Sequence, residues 1–217
     1  MAESPESSNI FWEIARYLIV AVGTVGLIWY YFFYTPVEFA TQEHFGQTMG
    51  THYQVKAARF PSNADWNEVT TAIQHRLDTL SDTSNGLAVD RIAEMLEIWG
   101  LTDYFIEVGT ISRAGGKKGA NRDEDWTVAI EKPTQAFTGI QQTFALNNQS
   151  LAKSGTRDSM SVAVLAPTAV QAENWMNQML ELGEQEGLEF ANQQGIAVVF
   201  LRLAGNDVVV TRSQSAM

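Results

Sequence analysis

Few residues in this chain could carry chemistry. The histidines are His44, His52 and His75, and none stands at metal-ligand spacing from another His, Asp or Glu. There is no cysteine, which excludes thiolate metal sites, a cysteine nucleophile, a disulfide framework and a lipid-modified N-terminal cysteine. Residues 115–119 read GGKKG, glycines and lysines of the kind that cradle phosphate. The GxxxxGK(S/T) spacing that aims backbone amides at a phosphate is missing, so a basic glycine turn is the better reading. Residues 150–159 (SLAKSGTRDS) combine Ser, Lys and Asp. A serine nucleophile needs a base fixed within hydrogen-bond reach, and nothing in the run fixes one.

The surrounding pattern is that of an α+β domain. Strand composition covers 47–58, where His52, Gln54 and Lys56 alternate with Tyr53, Val55 and Ala57. Ser62 stands at capping-box spacing from Asp65, ahead of a helix with Trp66, Val69, Ile73, Leu77 and Leu80 on one face. A second helix is expected over 87–99, ended by Gly100. Strands follow at 104–108, 126–131, 139–146 and 161–165, with a glycine- and charge-rich turn over 114–125. Thr168 caps a helix with Ala172, Trp175, Met176, Met179 and Leu182 inward, which Gly183 interrupts and 184–194 continue. Strands at 196–202 and 208–212 form a hairpin turning at 205–207.

At the N-terminus, 17–34 reads YLIVAVGTVGLIWYYFFY without a charge. About 18–20 such residues cross a hydrocarbon core of roughly 30 Å. Trp12 and Tyr17 at one end, and Trp29, Tyr30, Tyr31 and Tyr34 at the other, suit the headgroup region. The bulky end of the run and Glu38 beyond it do not fit a signal-peptide cleavage site. Ala21, Gly23, Thr24 and Gly26 make a small-residue face that could meet another helix. Arg16 precedes the run, and the next basic residue is Lys56. This places the N-terminus inside and the domain outside, in the periplasm if the membrane is a bacterial inner membrane. The expected organisation is a polar tail (1–9), a membrane helix (10–35), a linker (36–46), a soluble domain (47–212) and a C-terminal tail (213–217). The formal net charge of -11 argues against nucleic-acid binding, which needs a basic face, and against attraction to anionic lipid.

Five segments, in order, resemble the ApbE family of FAD:protein FMN transferases: TMGTHY (48–53), GLAVDR (86–91), YFIEVGTISRAGGKKG with WTVAIEKP (within 104–133), NQSLAKSG (148–155) and SVAVLAPTAVQA (161–172). The resemblance implies a periplasmic enzyme that splits FAD and, with magnesium, attaches FMN to Thr or Ser of a target protein. It places Met49, Gly50, Thr51, Asn85, Gly109 and Thr110 at the flavin, and Glu173 and Asn177 at the metal.

The departures from the family pattern fall on these positions. The family lysine before GYAVD is Asn85, the second glycine of its cofactor-approaching pair is Thr110, and its metal-binding Asp and Thr are Glu173 and Asn177. The family's long stretch before GYAVD, and its segment with a His-x-x-Asp-Pro motif after SLATSG, are shortened to a few residues. Magnesium demands near-ideal octahedral oxygen ligation, and phosphoryl transfer rests on positioning and metal-centred charge stabilisation. These departures imply a truncated, non-catalytic relative with no expected cofactor. Its expected role is an accessory subunit of a membrane redox, electron-transport or photosynthetic complex, with a lipid bilayer and membrane proteins as partners. The alternatives are a flavin-binding periplasmic module and a minimal transferase.

Overall fold

The computed structural model describes residues 5–33, 39–80, 83–119, 122–131, 140–155, 160–205 and 207–216. The chain divides into two units, Met1–Glu38 and Phe39–Met217.

The first unit is one helix, α1 (Pro5–Phe33). Its apolar side chains between Tyr17 and Tyr30 are exposed on every side of the helix. Among the described residues, no helix is long and apolar enough to cross a membrane. The expected flanking aromatics Tyr31 and Tyr34 lie outside the described side chains.

The second unit is an α+β fold. An eight-stranded sheet runs β1 (Phe39–Thr48), β2 (Thr51–Pro61), β3 (Tyr104–Val108), β4 (Ile111–Gly115), β7 (Gln149–Lys153), β8 (Met160–Ala166), β9 (Ala197–Ala204), β10 (Asp207–Arg212). Every neighbouring pair is antiparallel. Between β4 and β7 the chain makes a separate ribbon of β5 (Trp126–Glu131) and β6 (Ile140–Leu146).

Alternation along the strands sends side chains to two faces. Tyr53, Val55, Ile106, Val162 and Val164 pack under the helices α2 (Trp66–Asp78), α3 (Asn85–Ile98) and α4 (Ala169–Gln194). Phe105, Ala114, Leu151, Ala163 and Leu201 pack against Trp126, Val128 and Leu146 of the ribbon.

Several expectations are corrected. The linker expected over 36–46 is strand β1 from Phe39 onward, joined to β2 by a tight turn in which Met49 (φ 49°) and Gly50 (φ 73°) are both left-handed. That is the turn geometry that matches strand twist. Strands β4 and β7 were not expected, and β4 ends inside the region read as turn, at residues 114–115. The α2 cap is Asp65, whose carboxylate accepts from Asn67 N at 2.8 Å, not Ser62, which lies in the preceding turn. The α3 helix begins at Asn85, capped by Ser84. The expected break in α4 is present: Gly183 has φ 76°, ψ -178°. The C-terminal segment is docked rather than a free tail. Ser213 is buried, and its hydroxyl accepts from Val198 N (3.0 Å) and donates to Ile196 O (2.7 Å).

Candidate functional site

The N-termini of α3 and α4 meet over the end of the sheet. The first-turn N–H groups of a helix have no partner within it and must find acceptors elsewhere. In α3, Leu87 N donates to the capping hydroxyl of Ser84 (3.3 Å), and Gly86 N donates to Glu173 Oε2 of α4 (3.0 Å). In α4, Gln171 N donates to Thr168 Oγ1 (3.3 Å). Ala169 N and Val170 N donate to the two carboxylate oxygens of Asp90 on α3, at 2.9 and 3.0 Å. Each helix thus supplies the carboxylate that caps the other, and each carboxylate sits at the positive end of the partner's dipole.

The close approach requires glycine at position 86. A Cβ there would lie 2.6 Å from Glu173 Oε2 and 2.8 Å from the backbone oxygen of Ala169.

Asp90 continues into a polar chain that runs outward from the buried cap. Arg113 of β4 donates through Nη1 to Asp90 Oδ1 (2.6 Å) and through Nη2 to Glu97 Oε1 (3.4 Å). Tyr104 donates to the same Glu97 oxygen at 2.5 Å. Burial, and then the Glu97 carboxylate, push the Tyr104 phenol above its ordinary value.

The residues assigned to flavin gather beside this junction in part. A Cβ at Gly109 would lie 3.0 Å from Asn85 Nδ2 and 3.2 Å from Thr51 Oγ1, so Thr51, Asn85 and Gly109 converge. Gly109 and Thr110 form the tight β3–β4 turn, in which Gly109 N donates to His52 O. Met49 is half-buried against the core, and the turn carrying Met49, Gly50 and Thr51 lines a hollow of about 320 Å³. That is the small end of the volumes that bury a drug-sized ligand, and FAD is larger.

The residues assigned to the metal do not fit magnesium. Glu173 Oε2 already accepts a backbone amide, and Asn177, one turn on, is neutral and exposed. Among the described residues, no group of three His, Cys, Asp or Glu could hold a metal ion.

The other chemistry-bearing motifs resolve as structure. In the GGKKG turn, Gly116 N donates to Asn148 Oδ1 (2.9 Å) and Lys117 N to Asp103 Oδ1 (3.2 Å). Lys118 N donates to Glu124 O (2.9 Å). These amides are committed within the protein and form no phosphate cradle. Asp103 is itself held by Arg122 at 2.6 Å. Ser150 is fully buried, out of reach of any substrate. His44 approaches the Tyr53 hydroxyl at 3.1 Å, and His52 and His75 are exposed. Sequence reasoning missed Asp90, Arg113 and Glu97. The available signal was a carboxylate, Asp90, placed among Val89, Ile92 and Ala93 on the inward face of its helix.

The ApbE family model matches residues 77–160. The FAD:protein FMN transferase of Haemophilus influenzae is 32% identical over 163 residues, covering 63% of this chain and 46% of that protein. The Escherichia coli FAD:protein FMN transferase is 26% identical over 152 residues, covering 58% and 43%. Among solved structures, the flavin transferase ApbE from Vibrio cholerae aligns with a TM-score of 0.70 at 17% identity, over 83% of this chain and 98% of that one. The apo form of the Pseudomonas stutzeri flavinyl transferase ApbE aligns with a TM-score of 0.71 at 15% identity, over 84% and 97%. These last two likenesses concern the fold. The sheet and its helices thus have the ApbE fold, and this chain belongs to the ApbE family as a member spanning about half the length of the curated relatives it matches.

Proposed function

We propose that this chain is a membrane-anchored accessory subunit that keeps the ApbE fold without the flavin-transfer reaction. The observation that carries the reading is the state of Glu173. The carboxylate at the position implied for the metal is a helix cap, 3.0 Å from Gly86 N, and its helical neighbour Asn177 offers no charge. Two short connections support it: α2 passes to α3 through 79–84, and β7 passes to β8 through 154–159. These are the places where the family resemblance implies cofactor-enclosing and catalytic segments.

The anchor is the uncharged run 17–34. The proposed placement is a single pass through a bacterial inner membrane, with the N-terminus cytoplasmic and the ApbE-like unit periplasmic. The small-residue face Ala21, Gly23, Thr24 and Gly26 would meet a partner helix of a membrane electron-transport or photosynthetic assembly.

The decisive test incubates the purified full chain with FAD, magnesium and a Thr-containing acceptor peptide. The expected outcome is no covalent flavin fluorescence on the peptide. Labelled peptide would refute loss of transfer. A yellow, flavin-loaded preparation without labelling would favour a flavin-binding module. Extraction of the chain from native membranes by alkaline carbonate would refute the anchor.

A further inference from the structure

The exposed face of α2 carries the row Glu68, Ala72, Arg76 at four-residue spacing, with a parallel row one residue earlier at 67, 71 and 75. With Met95 and Trp99 these rows line a groove of about 800 Å³. Trp99 is 43% exposed and its neighbour Ile98 is 82% exposed. They are held outward at the end of α3, where Leu101 N returns to Leu96 O and Gly100 N to Glu97 O. An exposed tryptophan beside a half-buried methionine, Met95, and a polar rim are typical of a protein interface. Glu68 and Arg76 make no side-chain ion pair or hydrogen bond among the described residues.

The order of charge selects the occupant. Along the groove, α2 is acidic in its first turn, with Glu68, and basic in its last, with His75 and Arg76; Asp78, also in the last turn, is outside the groove lining and accepts from Gln74 Nε2. Ala72 lies midway, four residues from each charge. We propose that this face binds a second copy of the chain, α2 against α2 in antiparallel sense, about a two-fold axis passing at Ala72. Glu68 of each copy then meets Arg76 of the other, twice, which is the self-complementarity a two-fold interface requires.

The two i±4 rows form the ridges and groove of the commonest helix-packing class, with an interaxial angle of about 50°, and a small residue at the crossing lets the axes approach toward 8 Å. The two charge pairs stand about 12 Å apart along the helix. They set register and direction, while Trp99 and Met95 close over the apolar part. A foreign helix would have to reproduce the charge order that α2 already carries.

The full chain in detergent is the material to test, by light scattering across a concentration series and by disulfide trapping. The chain has no cysteine, so Ala72→Cys introduces the only thiol. Oxidation is expected to give a covalent dimer, while Asn174→Cys, on the exposed side of α4, stays monomeric. Glu68→Arg and Arg76→Glu are each expected to weaken the dimer by about tenfold or more in Kd. An equimolar mixture of the two restores it, because in the mixed pair each arginine faces a glutamate. Unchanged melting of both variants confirms that the fold is intact; Glu68→Gln and Arg76→Gln, expected to weaken the dimer less, serve if a reversal fails to fold. A chain that stays monomeric up to tens of micromolar overturns the proposal. So does a dimer indifferent to both reversals, or an Ala72→Cys thiol that couples to a different protein in native membranes.

Discussion

Removing the Asp90 carboxylate should be among the most damaging single changes to the ApbE-like unit. Asp90 accepts from Ala169 N (2.9 Å), Val170 N (3.0 Å) and Arg113 Nη1 (2.6 Å). Its side chain is 11% exposed and that of Arg113 is 19% exposed, so little solvent screening applies. In Asp90→Ala, two α4 amides lose their acceptors and a largely buried guanidinium loses its 2.6 Å partner, keeping the 3.4 Å contact to Glu97 and the neighbouring Tyr104 hydroxyl. Breaking one side of a buried ion pair costs about 3–5 kcal/mol, and losing a helix cap alone costs about 1 kcal/mol. The expected loss is therefore about 3–5 kcal/mol, with the cap included in that range rather than added to it. Asp90→Asn keeps one acceptor oxygen but turns an NH₂ toward groups that themselves donate, so it should lose about half as much.

Urea unfolding of the full chain in detergent, followed by tryptophan fluorescence and circular dichroism, gives the free energies. A cycle with Arg113→Met separates the pair from the cap. The double variant removes the stranded charge, so its cost should fall short of the sum of the singles by about 1–3 kcal/mol. A loss under about 1 kcal/mol for Asp90→Ala, or additivity to within about 0.5 kcal/mol, would refute the reasoning.

Gly86→Ala should destabilise by about 1–3 kcal/mol as overpacking, reversing the usual gain from replacing a helical glycine. Its Cβ meets the backbone oxygen of Ala169 at 2.8 Å, so adding Glu173→Ala should fail to rescue it in the same unfolding assay. Gly183→Ala should cost about 1–3 kcal/mol although nothing lies within 4 Å of the new Cβ, because φ 76°, ψ -178° is a region open almost only to glycine; a neutral melt would contradict this. At alkaline pH the sign follows from Tyr104, whose folded pKa is raised. The stability it contributes is complete below the unfolded tyrosine pKa of about 10 and is lost as pH rises above that toward the folded value. Melting temperature should therefore fall above about pH 10, and Tyr104→Phe should flatten that fall while losing about 1 kcal/mol at neutral pH with the Glu97 bond. An equally steep fall in Tyr104→Phe would rule out this tyrosine as its source.

The elements legible in the sequence were those with strong apolar periodicity or a definite stop. The α2 helix shows Val69, Ile73 and Leu77 at helical spacing and buries all three. The α4 break was readable because Gly183 interrupts an otherwise continuous helical pattern. Strand β1 was not legible. Its sequence FATQEHFGQT is polar and lies at the sheet edge, and it is a strand because β2 pairs with it from Thr48–Thr51 outward. Edge pairing of this kind leaves little trace in hydrophobic alternation. Ser62 and Asp65 both carried cap chemistry. Position decided between them, because the turn closed by Ala64 N to Pro61 O delays the first helical residue to Trp66.

At the site, what could be read was the set of positions, and what could not be read was their partners. Thr51, Asn85, Gly109 and Glu173 were all identified from motif order, and the fold brings them to one end of the sheet. That Glu173 serves Gly86, and Asp90 serves Ala169 and Val170, depends on contacts between residues 79 to 87 positions apart, which no local pattern encodes. Those contacts bear on function. Two helix N-termini side by side form a natural anion site, with free amides and aligned dipoles. In this chain the first-turn amides of Ala169, Val170 and Gln171 in α4, and of Gly86 and Leu87 in α3, are taken by Ser84, Thr168 and the two carboxylates. A phosphate-bearing ligand would have to displace a carboxylate already bonded there and leave its negative charge nearby. The arrangement that makes the α3–α4 junction stable thus also makes it a poor place to hold a pyrophosphate.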